Sequence, residues 1–505
     1  MNMAISSQEY ADLKRENQTL KMRVEWLERQ IFGAKSEKHH EPCPHQVQID
    51  FGLSSEPSPP KNEAVAVKPY KRKKKRSNEI VTDQGLRFED HVPVETLVVE
   101  PQELRDNPGD YEIMTRHAYR IGQNPISHKV IHIEYRTIKH KKTGVVTTAH
   151  ALPNVLEKSI TDVSFLAMML IDKFLYHMPL YRQFQRLERS GIHIARRSLT
   201  NWIVKVAQLL KPIYDAQKDS VMLSKVLAMD ETPIKAGRNE AKHKMNTGVF
   251  WPLYGDQDEV VFVYTDNKRY DTLNGILSGF EGTLLTDGNP TYAKYAEKTQ
   301  KTHGECWVHT RRQFEKAQKE QPEQTTEALA WIGLIYKYEK QAKKQKLSQA
   351  ELRDLRQQKT KPVVSQFFTW CEHQLAKATG SRHEGFNRAL QYALNRQKAL
   401  SVFLSDPEVS PDTNYLERQI RPIPMGRKNW LFCWSELGAE VVAISQSLLA
   451  TCKLHGVDPY TYLVDVLQRV SEHPASKVEQ LTPRLWKELF ADQPMRSLID
   501  GLPEK

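Results

Sequence analysis

One short stretch constrains this chain more than any other. Val226-Leu227-Ala228-Met229 runs straight into an acid, Asp230. An apolar run this short, bounded by polar residues, suits a buried strand and is too short for a helix. Gly248 to Tyr254 and Val260 to Tyr264 read as two more strands. Thr283-Leu284-Leu285-Thr286 reads as a fourth and again stops on an acid, Asp287. Asn289-Pro290 behind it fits an N-cap with proline at the first helical position, so a helix is expected just after Asp287. Two carboxylates at strand ends then await a third acid, and Glu417 is the candidate.

The 505 residues allow three or four structural units. No run approaches the ~18 apolar residues of a membrane span, and the N-terminus lacks the apolar core of a signal peptide. The five cysteines, Cys43, Cys306, Cys371, Cys433 and Cys452, are odd in number and scattered, which argues against a disulfide scaffold and for a reducing cytoplasm. A net charge of +11 suits a polyanionic partner such as nucleic acid.

Residues 1–38 hold a 3,4 repeat (Tyr10, Leu13, Asn17, Leu20, Val24, Leu27, Ile31) whose seam a partner helix must cover. Self-association is the expected cover, with a helix packed on its own domain as the alternative. Residues 39–78 form a Pro-rich linker that ends in Lys71-Arg72-Lys73-Lys74-Lys75-Arg76, a solvated run able to neutralise phosphates. His39, His40, Cys43 and His45 lack the paired spacing of a zinc site. Residues 79–155 read as a small β-rich unit, with Val130–Ile138 and Val145–Thr148 forming a hairpin about Lys141-Lys142-Thr143-Gly144.

Residues 156–220 turn helical. Pro179–Glu188 and Ala195–Leu210 flank a Ser190-Gly191 break, and the second helix opens with Arg196-Arg197. That pattern fits a helix-turn-helix, and it fits an ordinary helical hairpin as well. Residues 221–318 carry the strands. Residues 319–405 are long charged helices, one opened by a capping box, Ser348-Gln349-Ala350-Glu351. In 406–436, a helix from Asp412 sets Asn414, Glu417 and Arg421 on one face until Pro422 and Pro424 end it. Gly426-Arg427-Lys428-Asn429-Trp430 follows. Residues 437–505 are helical, beginning with an amphipathic helix over 438–455 (Val441, Ile444, Leu448, Cys452).

Three carboxylates suit a hard divalent cation, and two such ions can activate a nucleophile and stabilise the leaving oxygen of a phosphodiester. Arg311, Arg312, Arg427 and Lys428 are candidate phosphate contacts, with pairing to nearby acids as the alternative. Trp430 and Trp434 are expected in the core, with base stacking as the other role.

Several segments together resemble a DDE-type transposase of the insertion-sequence 66 family. They are Leu27 to Lys38, Met229-Asp230-Glu231-Thr232, Thr286-Asp287-Gly288, Glu305-Cys306-Trp307-Val308-His309-Thr310-Arg311-Arg312, Asn414 to Arg418, and Arg421-Pro422 with Gly426 to Phe432. The resemblance implies an α/β, ribonuclease-H-like core interrupted by a helical insertion, with an N-terminal coiled-coil helix, the small β-rich unit and the helix-turn-helix. It implies Asp230, Asp287 and Glu417 as catalytic residues that bind two Mg²⁺ ions. DNA strand cleavage and transfer would follow, with element ends and target DNA as partners. It further implies accessory proteins of the same element and a place beside the bacterial nucleoid. A non-catalytic DNA-binding regulator and a structure-specific nuclease are the competing functions. Many relatives carry a Cys-pair zinc segment after the linker. Residues 79–155 contain no cysteine, so zinc is not expected there. Cys306 and His309 are expected to pack and position near the acids, metal ligation being the alternative, and Asn414 and Arg421 to support the site.

Overall fold

The computed structural model describes residues 79–500 except 107, 124–126, 158, 240–242, 378–383, 432 and 434. The heptad segment, the linker with its basic run Lys71–Arg76, and Trp434 lie outside the described residues.

The described part is mixed α/β. Strands β1 (Glu79–Val81) and β2 (Arg87–Glu89) pair antiparallel. A four-stranded sheet follows: β3 (Val94–Val99), β4 (Tyr111–Gln123), β5 (His128–His140) and β6 (Val146–Thr148). Strand β5 is central, parallel to β3 and antiparallel to β4 and β6. The turn between β5 and β6 has Gly144 at a φ of +71°, a conformation open to glycine at no steric cost. Alternation along β5 buries Ile131, Ile133 and Tyr135 against Ala149 and Ile499.

Helix α1 (Val163–Phe174) is buried almost throughout and is capped by Asp162, whose Oδ1 accepts from Ser164 N–H at 3.0 Å. Helix α2 (Leu180–Arg189) leads through Gly191, at a φ of +77°, into β7 (Ile192–His193), which pairs with β2. Helix α3 (Arg196–Met222) then runs well past the expected end at Leu210 and through Pro212. Burial outweighs the proline here. Tyr214 donates to the Phe262 carbonyl at 2.9 Å, and Gln217 donates to the Val260 carbonyl at 2.8 Å and to Thr451 Oγ1 at 2.9 Å.

The central sheet contains β8 (Val226–Met229), β9 (Thr232–Asn239), β10 (Lys244–Tyr254), β11 (Val260–Thr265), β12 (Thr283–Thr286) and β13 (His303–Glu305). Its order is β11-β10-β8-β12-β13, with β9 pairing β10. The β8, β12 and β13 strands are parallel, and the others antiparallel. Strands β9 and β13 were not expected from the sequence. Helix α4 (Pro290–Thr299) starts where Asn289 caps it, accepting from Thr291 N–H at 3.0 Å.

Helix α5 (Trp307–Ala317) opens the helical block. Pro322–Gln345, Gln349–Leu355, Lys361–Lys377 and α6 (Glu384–Leu394) follow, and Ser348 and Glu351 form the expected capping box. Trp307, Phe314, Phe367, Phe368 and Phe386 build a separate core that meets the sheet at Val226 and Leu285.

Helix α7 (Asn414–Ile420) passes directly into α8 (Pro422–Trp430), because Arg421 keeps helical dihedrals of −47° and −40°. This corrects the expectation that Pro422 and Pro424 end the helical run. Pro422 sits in the first turn of α8, where no intrahelical donor is lost. Trp430 packs against the main core. Helix α9 (Glu436–Leu454) is not amphipathic: every residue from Val441 to Cys452 is buried. By length and composition it could cross a membrane, with a mean hydropathy of 1.2 in a window 72% buried inside the protein. Packing on all sides in the core, against α3 and β11 among others, accounts for its apolar and small residues.

Candidate active site

Strands β8 and β12 are parallel neighbours, with Leu285 opposite Ala228. Continuing that register sets Asp287 beside Asp230, at the ~4.8 Å spacing of adjacent strands. Each acid is fixed by its own turn. Glu231 N–H donates to Asp230 Oδ1 at 2.7 Å, and Asn289 N–H donates to Asp287 Oδ1 at 3.0 Å. Both acids are half-buried.

Glu417 arrives on α7. Leu416 beside it is buried, and Tyr415 packs edge-on to Tyr254 of β10 with ring centroids 4.9 Å apart. Helix α8 docks on β9, where Arg427 donates to the Pro233 carbonyl and Cys433 N–H donates to the Lys235 carbonyl at 2.8 Å. The unexpected strand β9 therefore seats the segment that carries the third acid.

Asp230 feels the charge of both other acids. Burial, then the charges of Asp287, Glu231 and Glu417, push Asp230 up to about 7. Asp287 is also raised, by burial first and then by Glu231, while His309 and Lys268 oppose the shift. Burial lowers His309, against the pull of Asp287 and Glu417.

Glu417 accepts from Arg312 at 2.9 Å through Oε2. Its Oε1 lies 3.8 Å from His309 Nε2 and is buried without a hydrogen-bond partner. The oxygens of the three acids do not close to the 4.8 Å spacing of a tight ligand cluster. Among the described residues only His117, His132 and Glu134, on the small sheet, reach it. Two of those, His117 Nδ1 and His132 Nε2, are 2.9 Å apart.

Cys306 is buried at the start of α5, and its Sγ accepts from Thr413 N–H at 3.4 Å. Trp307 N–H donates to the Pro411 carbonyl at 2.9 Å. The Cys306–Trp307 step thus ties the end of the sheet to the start of α7.

Three neighbours of the site escaped the sequence reading. Glu231 accepts from Asn289 Nδ2 and Tyr292 Oη, both at 2.7 Å, and from Lys268 Nζ at 3.1 Å. Its oxygens are spent bracing β8 against α4. Glu305, buried and pushed up to about 7 by desolvation, pairs with Arg396 at 3.0 Å. Arg396 also donates to the Gly288 carbonyl at 2.7 Å. The helical block therefore grips the Asp287-Gly288 turn. A Cβ at Gly288 would lie 2.0 Å from Tyr392 Oη and 2.7 Å from Arg396 Nε, so a larger residue would push both away from the turn. The Asp287-Gly288 dipeptide hinted at a turn, but nothing local signalled partners roughly a hundred residues away.

A family model described as "Transposase IS66 family" matches residues 158–441. The chain belongs to the IS66 transposase family. A model of the IS66 C-terminal element matches residues 447–484, and one described as "Transposase C of IS166 homeodomain" matches 19–96. The chain is similar to two uncharacterized proteins of Sinorhizobium fredii. One, y4qI, is 29% identical over 406 residues, covering 76% of this chain and 74% of the relative. The other, y4jD, is 26% identical over 516 residues, covering 96% and 97%.

The remaining sequence candidates of this IS66-family chain sit as follows. Arg311 pairs with Glu315 at 2.9 Å, and Arg312 with Glu417. Lys428 and Arg421 are exposed, and Asn414 opens α7, its N–H donating to Asp412 Oδ1 at 3.0 Å. At the start of α3, Arg196 lies over the Tyr181 ring at 4.8 Å and Arg197 is exposed.

Proposed function

We propose that this protein is the DNA transposase of an insertion sequence, cleaving a strand at the element's end and joining the freed 3′-hydroxyl to target DNA. The observation that carries this reading is that two carboxylates at the ends of adjacent parallel strands come with a helix-borne glutamate whose charge, like that of Asp287, acts on Asp230. The donors are all oxygens, and one buried glutamate oxygen lacks a partner, which fits a hard divalent cation. Asp230, Asp287 and Glu417 would hold two Mg²⁺ ions, which when bound supply activation of the attacking oxygen and stabilisation of the leaving one.

The chain's own residues do the rest. The parallel register of β8 and β12 holds two carboxylates side by side. Arg312 orients Glu417 by donating to its Oε2. Asp230 must shed its proton for the site to load. In the first step water attacks the phosphodiester at the element's end and the 3′-oxygen leaves as a hydroxyl. In the second, that hydroxyl attacks a target phosphodiester, forming one P–O bond as another breaks. A ribonuclease-H-like core is supported by the mixed sheet with acids at the ends of its central strands. A helix-turn-helix role for α2 and α3 is supported by their short connection and the arginines that open α3. Self-association through the heptad segment, and accessory proteins of the same element, belong to the same proposal.

A strand-transfer assay with the DNA flanking the gene tests it. Wild type with Mg²⁺ should cleave and join. Asp230→Ala should bind the same DNA yet lose both steps by on the order of 10³-fold. Full activity in that variant would remove the metal site.

A further inference from the structure

We infer that an arginine-lined cleft between α2 and α8 grips the backbone phosphates of the DNA strand entering the active site. Assigning DNA as the occupant rests on the transposase reading of the three acids. Helix α2 carries Arg182, Arg186 and Arg189 at i, i+4 and i+7, a spacing that puts them on one face. That face lines a cleft of about 520 Å³, with Tyr176, His177 and Met178 before α2 and a single residue of α8, Asn429, completing the lining. The volume falls within the ~300–1,000 Å³ of sites that hold small organic ligands, ample for a nucleotide unit.

No carboxylate lines the cleft. Behind it, buried Asp172 pairs with Arg186 Nη2 and so fixes that guanidinium. Arg186 Nε remains buried with no hydrogen-bond partner. Arg182 and Arg189 are exposed and make no ion pair among the described residues. Guanidinium forks match phosphate oxygens in pairs, so Arg182 and Arg189, which no carboxylate in the lining neutralises, suit a phosphate. Tyr176, 68% exposed at the rim, offers a ring face to an unstacked base.

The position points to the reacting strand. Asn429 and Glu417 belong to α8 and α7, which run on without a loop. Twelve residues at ~1.5 Å rise put them at most ~18 Å apart, about five nucleotides along a strand at ~3.4 Å each. From sequence alone Arg196 and Arg197 on α3 stand out and the α2 arginines do not. Their i, i+4, i+7 spacing is visible there, but Asn429 of α8 beside them is not.

The test measures DNA affinity of the full chain against salt for wild type, Arg182→Gln/Arg189→Gln and Arg182→Lys/Arg189→Lys. Both arginines are exposed, so folding should be unchanged. The Gln pair should flatten the slope of log affinity against log salt by about two. The Lys pair, which keeps the charges, should restore it. An unchanged slope in the Gln pair, with wild type binding and joining DNA, would overturn the cleft alone. Failure of wild type to bind or cleave would overturn the transposase reading with it.

Discussion

Asp230 and Asp287 are held differently from Glu417, and the difference separates what is rigid in this site from what is adjustable. The two aspartates leave adjacent parallel strands, and each is pinned by a backbone N–H within two residues. Burial raises both. Glu417 instead leaves a helix, is 28% exposed, and leans on Arg312, itself 46% exposed. A sheet fixes geometry through many ladder bonds, whereas a partly solvated ion pair can exchange partners at little cost. On the transposase reading the aspartates define where cations would sit, and Glu417 would be the ligand that has to adjust to them.

The largest effect should come from loosening the rigid side. Arg396→Ala leaves Glu305 buried without its partner and frees the Gly288 carbonyl. Breaking such a pair costs about 3 kcal/mol, read as a lower melting temperature. Glu305 already stands near pH 7, so protonation should relieve the loss at pH 6 and leave it fuller at pH 8. Equal losses at both pH values would show that Glu305 is not charged beside Asp287.

Next comes the pH dependence of Mg²⁺ binding. Asp230 is raised from its ordinary 3.8 to about 7. Between those values the folded state keeps a proton that the unfolded chain has released, so the metal-free protein loses stability as pH rises across that window. A cation takes only the ionised form, so Mg²⁺ affinity measured by calorimetry should weaken about tenfold from pH 8 to pH 6. A flat profile would place the cation away from Asp230. The smallest effect is expected on the adjustable side: Arg312→Gln should alter strand joining less than tenfold, because the pair is half in solvent. A loss as deep as that of Asp230→Ala would make Glu417 as rigidly held as its partners.

The sequence made the two strand-end aspartates legible for a physical reason. A short apolar run ending in a carboxylate is a local signal, as are the Asn289 cap and the Ser348 capping box. Hydrophobic alternation likewise exposed the β5–β6 hairpin. What stayed hidden depends on distant partners. Strand β9 exists because β10 pairs with it. Helix α3 passes Pro212 because β11 and α9 reward its burial. Helix α9 looked one-faced, yet neighbours surround it. The clamps formed by Glu231 and by Glu305 with Arg396 join residues far apart in the chain.

Nothing slack separates Glu417 from Asn429, because Arg421 stays helical between them. One helical path thus joins the lining of the arginine cleft to the third acid, and the contacts of Arg427 and Cys433 with β9 anchor that path to the sheet.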